Sequence, residues 1–149
     1  MKKEIGTTAN GHYVHVIINN RHMLAHSSVT ETLLTEAVSK IDYTPTFWMG
    51  EVDLGRVIGK DACVQTTETD DVRYECRTGR ETLSRVVYKR KPEDTSILTV
   101  GLCTDDDGLV TVFTAFPGKK APKELSDPSL RESERPEAEQ FWACHALCV

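Results

Sequence analysis

The chain has 149 residues and a formal net charge of −5, from 18 lysines and arginines against 23 aspartates and glutamates. A domain usually runs to ~100–200 residues, so this length predicts a single domain that buries its core without disulfide staples. The acidity argues against indiscriminate binding to DNA or to a membrane surface, although it leaves room for a local anion site. No stretch approaches the ~20 apolar residues of a membrane-spanning helix, and the N-terminus lacks the apolar run of a secretory signal. A cytoplasmic protein is therefore expected. Five cysteines, Cys63, Cys76, Cys103, Cys144 and Cys148, fit free and buried thiols in a reducing compartment. Cys144-His145 with Cys148 does not follow a zinc-binding spacing, so no metal is expected.

Residues 1–11 are polar and are expected to be loose. The run from His12 to Ile18, HYVHVII, suits a strand, with His15 flanked by valines as a packing residue. Asn19-Asn20-Arg21 marks a turn, and His22 to His26 leads into a helix. Ser28 is a good N-cap, and Glu31 three residues on completes a capping box. Leu33, Leu34, Ala37, Val38 and Ile41 follow at helical spacing and form one apolar face, expected to cover a sheet. Phe47 and Trp48 fall in the connection 42–50 and are placed near the core. Leu54–Ile58 and Ala62–Thr67 read as short strands.

The stretch 73–118 carries the clearest pattern. Ser84–Lys89, Ile97–Cys103 and Leu109–Phe116 are rich in residues that favour a pleated, half-buried surface, and the alternating basic run Arg73–Arg77 leads into them. Turn signals separate them at Thr78-Gly79-Arg80, Pro92-Glu93-Asp94 and Asp105 to Gly108. The connections are too short for a helical crossover, which implies an antiparallel meander. The predicted class is α+β, with about four to six strands, an N-terminal helix packed on them and a C-terminal helix docking back. Residues 117–135, rich in proline and charge, read as an extended surface loop. Residues 136–149 read as a helical docking tail, with Pro136 at its start and Phe141, Trp142, His145 and Leu147 too apolar to hang free.

Between Arg73 and Lys91, seven lysines and arginines stand against two glutamates. Arg77 and Arg80, with Arg85 and Lys89 on the neighbouring strand, are expected to converge on one side of the sheet. Walker, GxGxxG, HExxH, GxSxG and CxxC motifs are missing, so no cofactor is expected. What remains is a set of histidines and cations. Metal-independent RNA cleavage needs a base for the ribose 2′-proton, an acid for the leaving 5′-oxygen, and cations for the phosphorane charge. His145, His26 or His22 would move the proton, since histidine titrates near neutral pH. Arg80 and Arg85 would stabilise the reacting phosphate, while Arg73, Arg77 and Lys89 would bind substrate. Thr114, at the end of the last strand, would add a hydroxyl donor.

A helix followed by a meander ending in TVFTAFPG resembles the ribonuclease fold shared by RelE-type, barnase-type, EndoU-type and colicin-type toxins. That resemblance implies a helical layer over an antiparallel sheet, a basic sheet face and a Ser/Thr-aromatic pair on a late strand. Thr114-Ala-Phe116 would hold that late position, with Phe116 lacking the hydroxyl of the tyrosine often found there. The chain is also similar to uncharacterised bacterial proteins with a GRxxGR-like turn, a TA-aromatic-x-G strand end and a FWxxHAL tail. The matching residues are Arg77 to Arg80, Thr114 to Gly118 and Phe141 to Leu147. The expectation is a metal-independent, toxin-like endoribonuclease acting on RNA and held by a cognate inhibitor or other acidic protein. The alternative is a non-catalytic binding or regulatory module whose basic face docks an acidic partner. A third reading is a hydrolase for a small anionic substrate, which would need a closed pocket.

Overall fold

Alternation of apolar and polar side chains governs most of this chain, and strands dominate the computed structural model, which describes residues 2–17 and 29–149. In order these are β1 (Lys2–Thr7), β2 (Tyr13–Ile17), α1 (Glu31–Val38), β3 (Phe47–Asp53), β4 (Gly59–Asp61), β5 (Cys63–Gln65) and β6 (Asp71–Cys76). They continue with β7 (Leu83–Tyr88), β8 (Glu93–Thr95), β9 (Ile97–Thr104), β10 (Val110–Pro117), α2 (Arg135–Trp142) and β11 (His145–Cys148). The class is α+β, and among the described residues one helix lies in the N-terminal region and one near the C-terminus. The chain folds into two compact units, Met1–Gly59 with Asp94–Lys120 and Lys60–Glu93 with Ala121–Val149.

The first unit holds a five-stranded sheet in the order β1-β2-β10-β9-β3. All its pairings are antiparallel except β2 with β10. Val14, Val100, Leu102 and Val112 point to one face and are fully buried against Leu34, Ala37 and Val38 of α1. Each such side chain contributes ~1.5–3 kcal/mol relative to an exposed one. The β9–β10 hairpin closes as its aspartates and glycine demand. Asp105 Oδ1 accepts from the N–H groups of Asp107 at 2.9 Å and Leu109 at 3.0 Å, and Gly108 takes φ 77°. Lys2 Nζ pairs with Asp105 and with Asp107, fastening β1 to this turn.

The second unit holds a four-stranded sheet in the order β5-β11-β7-β6, with β11 parallel to β7 and antiparallel to β5. Val64, Val87 and Ala146 are buried on one face, while Cys63, Ala138 and Trp142 form a second cluster with Phe141 and Leu147. Pro136 lies in the first turn of α2, where its missing N–H costs nothing.

Several expectations need correction. The N-terminal segment is not loose from residue 2 on, because Lys2–Thr7 is a strand paired with β2. The α1 cap is Thr30, whose side chain accepts from the Leu33 N–H, which puts Glu31 in the first turn instead of at the capping-box position. Ser28, His22 and His26 lie outside the described residues. Phe47 and Trp48 begin β3 instead of lying in a connection; Trp48 packs against the core as expected, but Phe47 is 61% exposed and stacks on Phe113. Leu54–Ile58 is not a strand. The expected continuous meander is divided, since β7 pairs with β6 and β11 while β9 pairs with β10 and β3. The tail is helical only to Trp142, and residues 145–148 form an inner strand instead. Only Cys63 among the five cysteines is buried, and Cys76 is exposed.

Candidate functional site

The β6–β7 hairpin positions the arginines. Its register opposes Arg73 to Val86, Tyr74 to Arg85 and Glu75 to Ser84. Opposed residues share a face, so Arg73 lies with Val86 and Tyr88, while Arg85 lies on the other side with Tyr74 and Val87. Arg80 sits beyond one end of the hairpin and Lys89, with φ 63°, beyond the other. The six residues of β7 set those ends ~17 Å apart. Arg77, Arg80, Arg85 and Lys89 therefore do not converge on one side of the sheet, contrary to expectation.

Most of the basic strip is engaged inside the second unit. Arg73 Nη2 lies 2.9 Å from Asp71 Oδ2, and its guanidinium sits 4.3 Å over the Tyr88 ring. Arg73 holds the Asp71 carboxyl below its ordinary range, and the carboxylate raises Arg73 in return. On the same face the Tyr88 hydroxyl donates to Glu75, which pushes the phenol pKa up. Arg77 donates to Ser84 Oγ at 3.0 Å and to Glu124 Oε2 at 3.1 Å. Arg90 binds Asp70 at 3.0 Å and Glu93 at 3.3 Å. Arg85 uses Nη1 as a clasp, donating to the His145 carbonyl at 2.6 Å and to Thr66 Oγ1 at 3.1 Å. Arg80 and Lys89 are exposed, Arg80 near Asp127 and Lys89 near Asp71, and each helps to lower that carboxyl's pKa.

His145 opens β11, opposite Gln65. Its Nδ1 lies 2.9 Å from the Phe141 carbonyl oxygen. A carbonyl only accepts, so Nδ1 carries the proton and Nε2 is the basic nitrogen. The ring stacks on Phe141 with centroids 4.0 Å apart and planes at 3°. Cys144 Sγ is 3.4 Å from Nδ1, but that nitrogen already holds its proton and is not a base for the thiol. Arg85 and His145 do meet, through a backbone carbonyl and not through the imidazole. Thr114 lies in β10 of the first unit, 8% exposed, whereas His145 and the arginines belong to the second. Among the described residues, no three His, Cys, Asp or Glu side chains gather as metal ligands.

The second unit instead presents a cleft of about 240 Å³, lined by Tyr74, Leu83, Arg85, Glu124, Leu125, Ser126 and Trp142. Tyr74, Leu83 and Leu125 are 62%, 53% and 37% exposed, large apolar surfaces left open around one hollow. The cleft has a fixed wall. Trp142 Nε1 donates to the Lys123 carbonyl at 3.1 Å, and the Ser126 hydroxyl donates to the Leu83 carbonyl. Two charged groups line it. Arg85 keeps Nε and Nη2 outside its clasp. Glu124 has Oε2 held by Arg77 and Oε1 sealed from solvent without a partner. The polarity the cleft offers is therefore that of a guanidinium set in apolar walls.

None of Tyr74, Leu83, Leu125 or Trp142 stood out as a site residue in the sequence. The available signal was Leu125, one of two leucines, with Leu130, in a charged, proline-rich stretch. Comparison with protein-family models found no match, and comparisons with curated proteins and with solved structures found none either. Among the described residues, no helix is long and apolar enough to cross a membrane.

Proposed function

We propose that this chain is a non-catalytic binding module that docks an acidic protein partner in the cleft formed by Tyr74, Leu83, Leu125 and Trp142. One observation carries the reading. Arg73, Arg77 and Arg90 are engaged by carboxylates of their own unit, while the cleft leaves apolar surface and the spare donors of Arg85 open. Covering one exposed leucine contributes up to ~1.5–3 kcal/mol, and a charge-assisted hydrogen bond from Arg85 adds ~1.5–3 kcal/mol. The site thus favours an apolar side chain with a carboxylate nearby. A peptide-display selection on the full chain tests this. Enriched peptides combining an apolar anchor with Asp or Glu, and losing binding to Leu83→Asp, support it. A selection that yields no such peptide overturns it.

The ribonuclease reading keeps one observation in its favour, because the Phe141 bond leaves His145 Nε2 as a base nitrogen. RNA cleavage by the full chain in excess EDTA, beside His145→Ala, separates the two. The module reading expects an intact RNA set. Cleavage that survives the chelator and vanishes in the variant would restore the enzyme.

A further inference from the structure

Resting on the binding-module reading, we propose that the partner's segment binds in extended form, as a strand added along the free edge of β6. Its apolar side chain enters the cleft and a neighbouring carboxylate meets Arg85. The edges of the two large sheets are β1, β3, β5 and β6. An unprotected edge offers rows of unpaired N–H and C=O groups, and natural sheets blunt such edges with bulges, brevity, charge or cover. β1 breaks its register between Glu4 and Gly6. β5 has three residues. On β3, the Met49 carbonyl is taken by Lys120 Nζ at 3.2 Å and Glu51 binds the Lys120 N–H.

β6 is neither bulged nor short, and its charge is confined to one face. It runs six residues in unbroken register with β7, and among the described residues no strand lies on its outer side. Its charged residues, Asp71, Arg73 and Glu75, all point to the face away from the cleft. There they bind one another or Tyr88. The face beside the cleft carries Val72, Tyr74 and Cys76, without charge. Strand addition suits this geometry, because main-chain bonds give affinity and alternate side-chain pockets give specificity. Tyr74 sits on the edge strand and Arg85 directly opposite it on β7. A side chain of an added strand that flanks Tyr74 therefore points to the mouth of the cleft. The charge preference follows from Arg85, whose Nε and Nη2 are unengaged while Glu124 Oε1 is sealed.

The test uses the full chain and a selected peptide in which each main-chain nitrogen is methylated in turn. In an added strand only alternate N–H groups face β6. Methylation is expected to weaken binding at least ~5-fold at every second position and little between, since each blocked N–H loses one buried main-chain bond. Leu83→Asp, at a half-exposed position, should abolish binding without lowering the melting temperature. A flat methylation profile from a peptide that still needs Leu83 would overturn strand addition and leave the cleft reading standing. A selection yielding no Leu83-dependent peptide would overturn both.

Discussion

Replacing Arg85 with methionine separates a structural arginine from a phosphate-binding one. In the fold, Arg85 Nη1 donates to the His145 carbonyl at 2.6 Å and to Thr66 Oγ1 at 3.1 Å, tying β7 to the start of β11 and the residue after β5. Thr66 is 9% exposed, so the bond lies at the edge of the buried region. Methionine keeps most of the aliphatic stem and removes only the clasp. A hydrogen bond to a charged group contributes ~1.5–3 kcal/mol, and two acceptors share one nitrogen here, so ~2–3 kcal/mol is the expected loss. For a chain of this size that corresponds to ~5–10 °C in melting temperature. Urea unfolding followed by circular dichroism measures it. A Thr66→Val background should shrink the Arg85→Met penalty, because one of the two bonds is then already gone. A His145→Ala background should leave the penalty in place, because the carbonyl remains. An Arg85→Met protein that melts within ~1 °C of wild type would refute the clasp, since even a single net hydrogen bond is worth ~0.5–1.5 kcal/mol.

Other perturbations probe the rest of the fold. Lys2 holds the Asp105 carboxyl down to about 2, so the carboxylate adds stability above its ordinary pKa of 3.8 and loses it as pH falls toward 2. Lys2→Met should therefore move acid unfolding to higher pH, and superimposable acid titrations by circular dichroism would count against the Lys2–Asp105 tie. Gly101→Ala would drive a methyl into the Phe113 ring, at a cost of ~1–3 kcal/mol that Phe113→Leu partly relieves; equal urea midpoints for the single and double variants would contradict it. Trp142→Ala should cost ~3–5 kcal/mol through a cavity and a lost indole bond, with urea unfolding as the check. Thr30→Ala removes the α1 cap and should lower stability by ~1 kcal/mol, and an unchanged midpoint would place the cap elsewhere.

The parts of this fold legible in the sequence are those set by local pattern. Leu34, Ala37 and Val38 lie on the buried face of α1 because a 3.6-residue period leaves them no other. Arg85 and Val87 share a face because strands alternate. Local pattern does not choose partners. Nothing in YKRKPEDTSILT indicates that β7 and β9 enter different sheets, because short connections normally join neighbours. Residues 145–148 follow a helix so closely that they read as its continuation, and only pairing with β5 and β7 makes them a strand. Pairings of this kind, between residues 60 or more positions apart, leave no local trace. The candidate site was obscured for a related reason. Charge counts identify arginines but not the carboxylates that engage them, and Glu124 lies 47 residues from Arg77.

The internal use of the basic strip also predicts how a partner should respond to salt. A protein that neutralises several phosphates releases condensed counterions, and its affinity for nucleic acid falls steeply as salt rises. Here Arg73, Arg77 and Arg90 already face Asp71, Glu124 and Asp70, so an incoming polyanion would compete with neighbours held within about 3 Å. Arg85 retains spare donors in the cleft, but its Nη1 is committed to the clasp. Exposed Arg80 and Lys89 stand at opposite ends of the hairpin and cannot grip one phosphate together. Association at the cleft should therefore depend mainly on covering Tyr74, Leu83 and Leu125, with one ionic contact adding direction. A partner displaced only weakly between roughly 50 and 200 mM salt fits that balance, whereas the ~10³–10⁵-fold loss expected for six to ten phosphate contacts would mean that the arginines let go of their carboxylates to bind nucleic acid.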